Sequence, residues 1–331
     1  MFDNRRDIRL PKDSTPQLIV VVDAEEEFDW QAEPDATANL VTSMAHIGRV
    51  QGIFDEYGIR PCYVIDYPVA SQPEGYEPLL EIFRQGRCEI GAQLHPWVNP
   101  PQDEVLTRSN MYPGNLPESL ERQKLICLRD AISKQFGSRP IAYKAGRYGF
   151  GDNTARILSE LGFTIDLSVC PPMDASDEGG PDYSHFEACP FWFGDGAHRI
   201  LEIPCTGGFV GWAGRLSRPL FNSAWALRRF RVLGILARLR AVDRLMLSPE
   251  GYSSEEHIRL TRALFDRGIR TFTWSFHSPS VVPGNTTYVE TEAQLQVFLD
   301  RFRRFFDFFF NELGGQASTP SLLRKQLEAM E

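Results

Sequence analysis

The segments LIVVVDAEEEFDW, residues 18–30, and TFTWSFHSPS, residues 271–280, decide the fold of this chain. Each begins as an uninterrupted apolar run, which is typical of a strand buried on both faces of a parallel sheet. Each run ends in one ionisable side chain, Asp23 or His277. Because α/β enzymes assemble their chemistry at the carboxyl ends of such strands, the two residues predict an acid/base pair. The alternative is that both are polar groups satisfied locally at strand ends.

The rest of the chain alternates short apolar runs with longer segments of helical periodicity. The predicted strands are 18–22, 61–65, 89–93, 141–145, 163–168, 200–204, 244–247 and 270–276. Such alternation favours a parallel sheet, and seven or eight strands favour closure into a barrel. We therefore predict the α/β class, with a (β/α) barrel of seven or eight mostly parallel strands.

This barrel is predicted to span residues 15–290, after an N-terminal extension at 1–14 and before a phenylalanine-rich helix and tail at 291–331. The helix either closes the core or forms a homodimer, because its phenylalanines could not stay in water. The loop CPPMDASDEGGPD, 170–182, is too rich in Pro, Gly and Asp for regular structure, and we expect it to overhang the carboxyl face.

Composition excludes several classes of protein. A net charge of −9 argues against nucleic-acid binding. The N-terminus is polar, and no run reaches the roughly 18 apolar residues of a transmembrane helix. The six cysteines are scattered without a CxxC pair, which fits buried thiols in a reducing compartment. We therefore predict a cytoplasmic protein.

One basic segment stands out in this acidic chain. Residues 215–244 carry eight arginines against one acid on a helical pattern of apolar residues, which predicts a basic helical insertion. Such a helix suits peripheral contact with an anionic membrane or a phosphorylated glycolipid. The alternative is a helix pair that covers the barrel with a solvated arginine face.

The residues that follow the predicted strands can bind metal ions or transfer protons. In chain order they are Asp23, Glu25, Gln93, His95, Arg147, Asp166 and His277. In a metal-assisted hydrolase, a carboxylate and an imidazole hold a divalent ion that polarises a carbonyl and acidifies water. A second carboxylate then removes the water proton, and a second imidazole protonates the leaving amine.

In this order, residues 15–285 resemble the NodB-homology polysaccharide deacetylases. The phrase FHSPSVVPGNTTYV, 276–289, resembles their WalW-like cytoplasmic branch, which is linked to cell-envelope polysaccharides. The resemblance implies a distorted (β/α) barrel, a divalent metal and a saccharide substrate.

The resemblance also implies roles for the proton-transfer residues. Asp23 would be the catalytic base, and Arg147 would position its carboxylate. His277 would be the general acid, and Asp166 would orient it. The backbone amide of Tyr148 would stabilise the oxyanion.

The metal ligands are where this chain departs from the resemblance, because the expected HxxxH pair of histidines is incomplete. One alignment places Gln93 and Trp97 at the histidine positions, and the other starts at His95 and pairs it with Asn99. We assign Glu25, His95 and Asn99 to the metal, and Gln93 and Trp97 to the substrate side. Neutral amide oxygens are harder and weaker zinc ligands than imidazole, so the ion is Zn or a harder one such as Mn or Mg.

Two hypotheses of function remain after these observations. The first is a hydrolase of amide bonds, removing an N-acetyl group from an amino sugar of a cell-envelope polysaccharide or its precursor. The second is a catalytically silent barrel that binds a saccharide or a protein partner, which the missing second imidazole would explain. Stoichiometric divalent metal in the purified protein would favour the first.

Overall fold

The computed structural model describes residues 1–29, 32–196, 199–211 and 242–331. Most of the predicted basic insertion at 215–244 lies outside these described residues. Among the described helices, none combines the length and apolar composition that a membrane-spanning helix requires.

Strands and helices alternate along most of the described chain. The strands are β1 Arg6–Asp7, β2 Gln17–Ala24, β3 Cys62–Ile65, β4 Glu89–Leu94, β5 Ala142–Ala145, β6 Ile165–Asp166, β7 Phe191–Phe193, β8 Ile200–Glu202, β9 Gly207–Val210, β10 Asp243–Met246, β11 Thr271–His277 and β12 Gln316–Ser318. The α-helices are α1 Gly48–Glu56, α2 Tyr67–Ser71, α3 Pro73–Arg84, α4 Glu118–Phe136, α5 Thr154–Leu161, α6 Ser254–Asp266, α7 Glu292–Asp307 and α8 Pro320–Glu328.

The central sheet has the order β1-β7-β8-β6-β5-β4-β3-β2-β11, and β12 also pairs with β2. All pairs from β8 through β6, β5, β4, β3 and β2 to β11 are parallel, as is the β12–β2 pair. Only β7 and β1 join it in antiparallel fashion. The predicted α/β class with mostly parallel strands is therefore confirmed.

The two ends of this sheet approach each other without a continuous ladder among the described strands. The backbone N–H of Thr273 in β11 donates to Thr206 Oγ1 at 2.8 Å, and Thr273 Oγ1 donates to the carbonyl of Pro204 at 2.9 Å. Ser275 N–H donates to the carbonyl of Leu247 at 3.3 Å. These contacts join β11 to the segments that follow β8 and β10, in place of a strand-to-strand ladder among the described residues.

One predicted barrel strand has a different place. The run at 244–247 does form β10, but β10 pairs antiparallel with β9 in a separate two-stranded sheet. Sequence alone missed β9, so the prediction that this run joins the main sheet was wrong. An apolar run identifies a strand but not its partner.

The strands of the main sheet bury both faces. Ile19, Val21, Val64, Ala142 and Ile165 lie on one face, here called the inner face, together with Leu323 and Leu327 of α8. The alternate strand residues pack against the surrounding helices in a larger core. Because successive strand residues point to opposite faces, this phase determines which polar residues reach the site.

Both chain ends take part in the sheet. Residues 1–14 supply β1, and residues 291–331 supply β12 and α8, so the segments placed outside the barrel by sequence contribute to its architecture. Helix α7 begins with a capping box formed by Thr291 and Gln294. Its phenylalanines 298, 302, 305 and 306 are fully buried, and Phe305 stacks on Trp274 with ring centroids 4.7 Å apart. This helix therefore closes the core, and these phenylalanines are not available to a homodimer interface.

Candidate active site

The carboxyl ends of four parallel strands meet at one cleft. Asp23, Gln93, Lys144 and His277, from β2, β4, β5 and β11, line a cavity of about 380 Å³. A second lobe of about 230 Å³ adjoins it and shares Asp23 and His277, as well as Tyr288. The carboxyl edge of the sheet, where the sequence predicts the functional residues, thus lines a cleft.

Asp23 is held by a lysine that the sequence analysis did not single out. Lys144 Nζ lies 2.7 Å from Asp23 Oδ1 and 2.6 Å from Oδ2, and both side chains are buried. Burial alone would lower the pKa of Lys144, but the Asp23 carboxylate raises it above its usual value. Lys144 reaches Asp23 because it follows Ala142 on the inner face, just as Asp23 follows Val21.

Arg147 was predicted to position Asp23, but it lies at the mouth of the cleft. Its guanidinium donates to Glu178 at 2.7 Å and to the Tyr112 hydroxyl at 3.2 Å. Arg147 comes after the end of β5, within a turn where it and Tyr148 have φ values of 51° and 61°. Left-handed backbone is uncommon for such residues and is concentrated at functional sites. Lys144 therefore takes the place predicted for Arg147.

The contact between Arg147 and Glu178 ties down the irregular loop at 170–182. Residues 174, 175 and 178 of this loop line the cleft, as does Tyr148. The predicted overhang of this loop at the carboxyl face agrees with that placement.

Gly146 allows the ends of β4 and β5 to come together. A Cβ atom at this position would lie 2.3 Å from the carbonyl oxygen of Leu94 and 2.6 Å from Cδ2 of His95. Real Cβ atoms do not approach that closely, so any other residue would displace the backbone or the imidazole.

His277 is oriented by Glu250, which the sequence analysis missed. His277 Nδ1 lies 2.8 Å from Glu250 Oε2, and the backbone N–H of His277 donates to Glu250 Oε1 at 3.2 Å. Ser280 Oγ also donates to Glu250, at 2.5 Å. Burial opposes the charged imidazole, but the carboxylates of Glu250, Glu25 and Asp23 raise the pKa of His277 to about 10. The surrounding carboxylates therefore favour the protonated form of His277.

Asp166 was predicted to orient His277, and the structure places it on the other face of the sheet. Its neighbours Ile165 and Leu167 lie on the inner face. Asp166 instead lies beside Tyr143 and Glu202 in the strand register and accepts a hydrogen bond from Ser168 at 2.6 Å. Burial raises the pKa of Asp166 to about 6. The prediction failed because a shift of one residue along a strand changes the face.

His95 lies at the end of β4 in a fully enclosed setting. Its Nδ1 lies 2.8 Å from Glu26 Oε2, and its ring stacks on Trp97 with centroids 4.3 Å apart. Asp66 lies behind Glu26, accepting the Glu26 backbone N–H at 2.7 Å. Burial lowers the pKa of His95 and raises those of Glu26 and Asp66. Trp97, assigned by sequence to the substrate side, is 1% exposed and supports His95.

The opposite nitrogen of His95 faces Glu25. His95 Nε2 lies 3.6 Å from Glu25 Oε2, and Gln93 Nε2 donates to the same oxygen at 3.3 Å. The Glu25 backbone N–H donates to Ser278 Oγ at 3.1 Å. Burial raises the pKa of Glu25 to about 8, against the opposing effect of the imidazoles.

Asn99 was assigned to the metal; its amide nitrogen is engaged in its own loop, and its Oδ1 has no hydrogen-bond partner within the described residues. Its amide donates to the carbonyls of Pro100 and Lys124, at 2.7 and 3.0 Å. The ammonium of Lys124 in turn donates to the carbonyls of Pro96, Asn99 and Pro101. Asn99 and Lys124 therefore stabilise the loop that follows His95.

Two groups of described side chains have the donor atoms for a divalent ion: Asp23 with Glu25 and His277, and Glu26 with Asp66 and His95. In the first group, Asp23 already faces the Lys144 ammonium and His277 carries a proton, which opposes a cation at those two residues. In the second group, the Asp66 oxygens accept backbone N–H groups and His95 Nδ1 is hydrogen-bonded.

The better fit combines one member of each group. Glu25 and His95 Nε2 face each other across 3.6 Å, while Glu26 holds the other imidazole nitrogen. A carboxylate behind a ligating histidine is the usual arrangement at metal centres. Glu25 and His95 thus fit a divalent ion, whereas the amide nitrogen of Asn99 is bonded within the loop that follows His95.

The remaining feature of the cleft floor is a facing acid and base. His277 Nε2 lies 3.6 Å from Asp23 Oδ2, in a strand register that pairs the two residues directly. Asp23 has a cationic partner and His277 an anionic one. The floor can therefore accept one proton and deliver another within a few ångströms.

Comparisons with known proteins bear on the fold. No family model matches the chain, and no curated protein matches it in sequence. The crystal structure of a candidate polysaccharide deacetylase from Mycobacterium smegmatis has a TM-score of 0.55 at 14% identity, covering 97% of this chain and 94% of that one. An allantoinase gives 0.48 at 13% identity over 88% and 83%, and a peptidoglycan N-acetylglucosamine deacetylase gives 0.46 at 10% identity over 95% and 91%. The chain therefore has the fold of the Mycobacterium smegmatis protein.

Proposed function

We propose that this protein hydrolyses the amide bond of an N-acetylated amino sugar. The observation that carries the proposal is the pair of Asp23 and His277, 3.6 Å apart on the cleft floor, each fixed by a partner of opposite charge. The resemblance of the strand-end residues to polysaccharide deacetylases supports the same reaction.

In the proposed reaction, Asp23 accepts a proton from the attacking water while the water oxygen bonds to the acyl carbon. The carbon–nitrogen bond then breaks, and His277 Nε2 donates its proton to the departing amine. Glu250 keeps His277 oriented and charged, and Lys144 holds Asp23 at the cleft floor. The products are acetate and a free amino sugar.

A divalent ion bound by Glu25 and His95 would supply Lewis acidity that polarises the carbonyl and lowers the pKa of water. Oxyanion stabilisation is assigned to the backbone amide of Tyr148, which lines both lobes of the cleft. Tyr112 and Arg147 at the mouth provide the aromatic and charged surface against which a saccharide would bind.

The substrate is proposed to be a cell-envelope polysaccharide or its precursor, handled in the cytoplasm as in the WalW-like branch. The phrase at 276–289 supports this branch. All six cysteines have free thiols, which accords with a reducing compartment. Peripheral contact with an anionic membrane through 215–244 is still a prediction from the sequence.

A silent saccharide-binding barrel is the second candidate, and one observation favours it. The ammonium of Lys144 lies within 2.7 Å of both Asp23 oxygens, so the carboxylate that would have to accept the water proton is already engaged in a buried ion pair. A protein that only binds sugar would keep the cleft and the aromatic mouth without turnover.

Acetate release from a panel of N-acetylated amino sugars, as monosaccharides and short oligosaccharides, tests the proposal. Turnover by the parent with its loss in Asp23→Asn would support the hydrolase. Glu255→Gln, an exposed carboxylate on α6 paired with Arg304, is the matched control and should keep full activity. Calorimetric binding of the same sugars without any acetate release would instead support the silent barrel.

A further inference from the structure

We propose that Gln93 is a third protein ligand of the ion held by Glu25 and His95. Compared with a site that has a second imidazole in place of Gln93, this ligand set shifts the preference from Zn²⁺ toward Mn²⁺. The inference rests on the proposed function for the presence of a divalent ion. It concerns the identity of the ligands, which the sequence left open between Gln93 and Asn99.

His95 is oriented by its neighbours so that one ring nitrogen faces Glu25. Glu26 Oε2 lies 2.8 Å from Nδ1 and, as an acceptor, assigns the ring proton to that nitrogen. The lone pair of Nε2 then points toward Glu25 Oε2, 3.6 Å away. Stacking on Trp97 fixes the plane of the ring. His95 is therefore preorganised to offer one nitrogen to an ion beside Glu25.

Glu25 is buried and its backbone is fixed. Its side chain is 1% exposed, and its backbone N–H is held by Ser278 Oγ. To be ionised, a carboxylate buried this deeply requires compensating positive charge beside it. A cation between Glu25 and His95 would supply it.

Gln93 is buried beside Glu25. It is 2% exposed, follows Gly91 on β4 and reaches the same Glu25 oxygen, with 3.3 Å between Nε2 and Oε2. Its carbonyl oxygen Oε1 is buried and has no hydrogen-bond partner within the described part of the chain. Buried amide oxygens are nearly always satisfied, and Oδ1 of Asn99 also has no such partner among the described residues, but Gln93 is the one of the two that contacts Glu25. A half-turn of the amide, which exchanges its oxygen and nitrogen, would bring that oxygen to the place of Nε2, 3.3 Å from Glu25 Oε2, and so beside an ion held by Glu25 and His95.

The donor set determines the preference among ions. Glu25 and Gln93 offer oxygen, and only His95 offers nitrogen. Carboxylate and amide oxygens suit harder ions such as Mn²⁺, whereas imidazole nitrogen suits Zn²⁺. Zn²⁺ remains the tighter ion in absolute terms, and the prediction concerns the ratio of the two dissociation constants.

Direct metal binding tests the inference without relying on turnover. The full-length protein is stripped with a chelator, Mn²⁺ binding is followed by loss of the free-ion electron paramagnetic resonance signal, and Zn²⁺ binding is followed by competition with a chromophoric chelator. Gln93→Leu should weaken Mn²⁺ binding tenfold or more. Gln93→His should tighten Zn²⁺ binding tenfold or more and change Mn²⁺ binding less. Gln296→Leu, on the exposed face of α7, is the control that should change neither.

Several outcomes would overturn the inference. These are dissociation constants unchanged within twofold in both Gln93 variants, a gain in Zn²⁺ affinity from Asn99→His alone, or a parent that binds neither ion. Thermal unfolding of each variant separates loss of a ligand from loss of the fold, and Gln93→His keeps the test valid if Gln93→Leu does not fold. Ligand effects without acetate release would sink the proposed function and leave the metal site standing. Acetate release with unchanged metal affinities would do the reverse.

Discussion

Replacing Glu250 with glutamine should lower the pKa of His277 and move the alkaline limit of activity. Glu250 lies 2.8 Å from His277 Nδ1. Of the neighbouring carboxylates, it contributes most to raising the pKa of the imidazole to about 10. An adjacent opposite charge shifts a pKa by roughly 1–3 units, or about 1.4–4 kcal/mol. A drop of about two units would leave roughly a tenth of the enzyme with a protonated His277 at pH 9.

The direction of the pH dependence follows from the proposed role of His277 as an acid. Activity depends on the protonated form, so it is retained below the pKa of His277 and lost as the pH rises through it. We expect the parent to keep kcat/KM up to about pH 10, and Glu250→Gln to lose roughly tenfold at pH 9 and much less at pH 6.

The measurement is a profile of kcat/KM for acetate release between pH 6 and 11, together with an NMR titration of the His277 ring. Glu255→Gln, which changes an exposed carboxylate, should leave both curves in place. If Glu250→Gln changes neither the alkaline limb nor the ring titration, Glu250 does not maintain the proton on His277 and the reasoning fails.

Three further predictions concern the same cleft. Asp23→Asn should abolish acetate release and also destabilise the fold by about 3–5 kcal/mol, because it leaves the Lys144 ammonium buried without its carboxylate. Asp23→Asn combined with Lys144→Met should recover most of that stability in urea unfolding but no activity, and an additive loss in the double variant would contradict the pairing. His277→Ala should lower kcat far more than it raises KM, since the proton is delivered in the transition state, and a change confined to KM would reassign His277 to binding. Gly146→Ala should weaken metal binding by displacing His95, and a crystal structure with His95 unmoved would contradict the clash.

The sequence predicted the residues that stand at the ends of long apolar runs. Asp23 and His277 could be singled out because each stands at or near the end of a long strand, of eight and seven residues respectively, that reaches the same sheet edge. Glu25 and His95 follow the same logic, and the α/β class follows from the alternation of runs. In these cases a local pattern is sufficient, because parallel strands bring their carboxyl ends together.

The partners of these residues could not be predicted in the same way. Lys144 and Arg147 are both basic and close to the end of β5, and only the strand phase, fixed by Ala142, selects Lys144. The prediction for Asp166 was wrong because the phase of its strand was not apparent from the sequence. That strand has only two residues and is too short to show its own alternation. Glu250 lies in a loop that reaches His277 through tertiary packing, and its surrounding sequence carries no signal of that contact.

The strand that carries Asp23 has a consequence for how this protein is made. β2 pairs with β3 over Val21–Ala24, but its other neighbours, β11 and β12, begin only at Thr271 and Gln316 of 331 residues. During synthesis, one edge of this apolar, fully buried strand therefore stays open until residues 271–277 have left the ribosome. Open edges of that kind recruit other strands, so C-terminally truncated chains should aggregate and not merely lose activity. The strand that carries Asp23 thus depends on residues 271–277 and 316–318, which are remote from it in sequence.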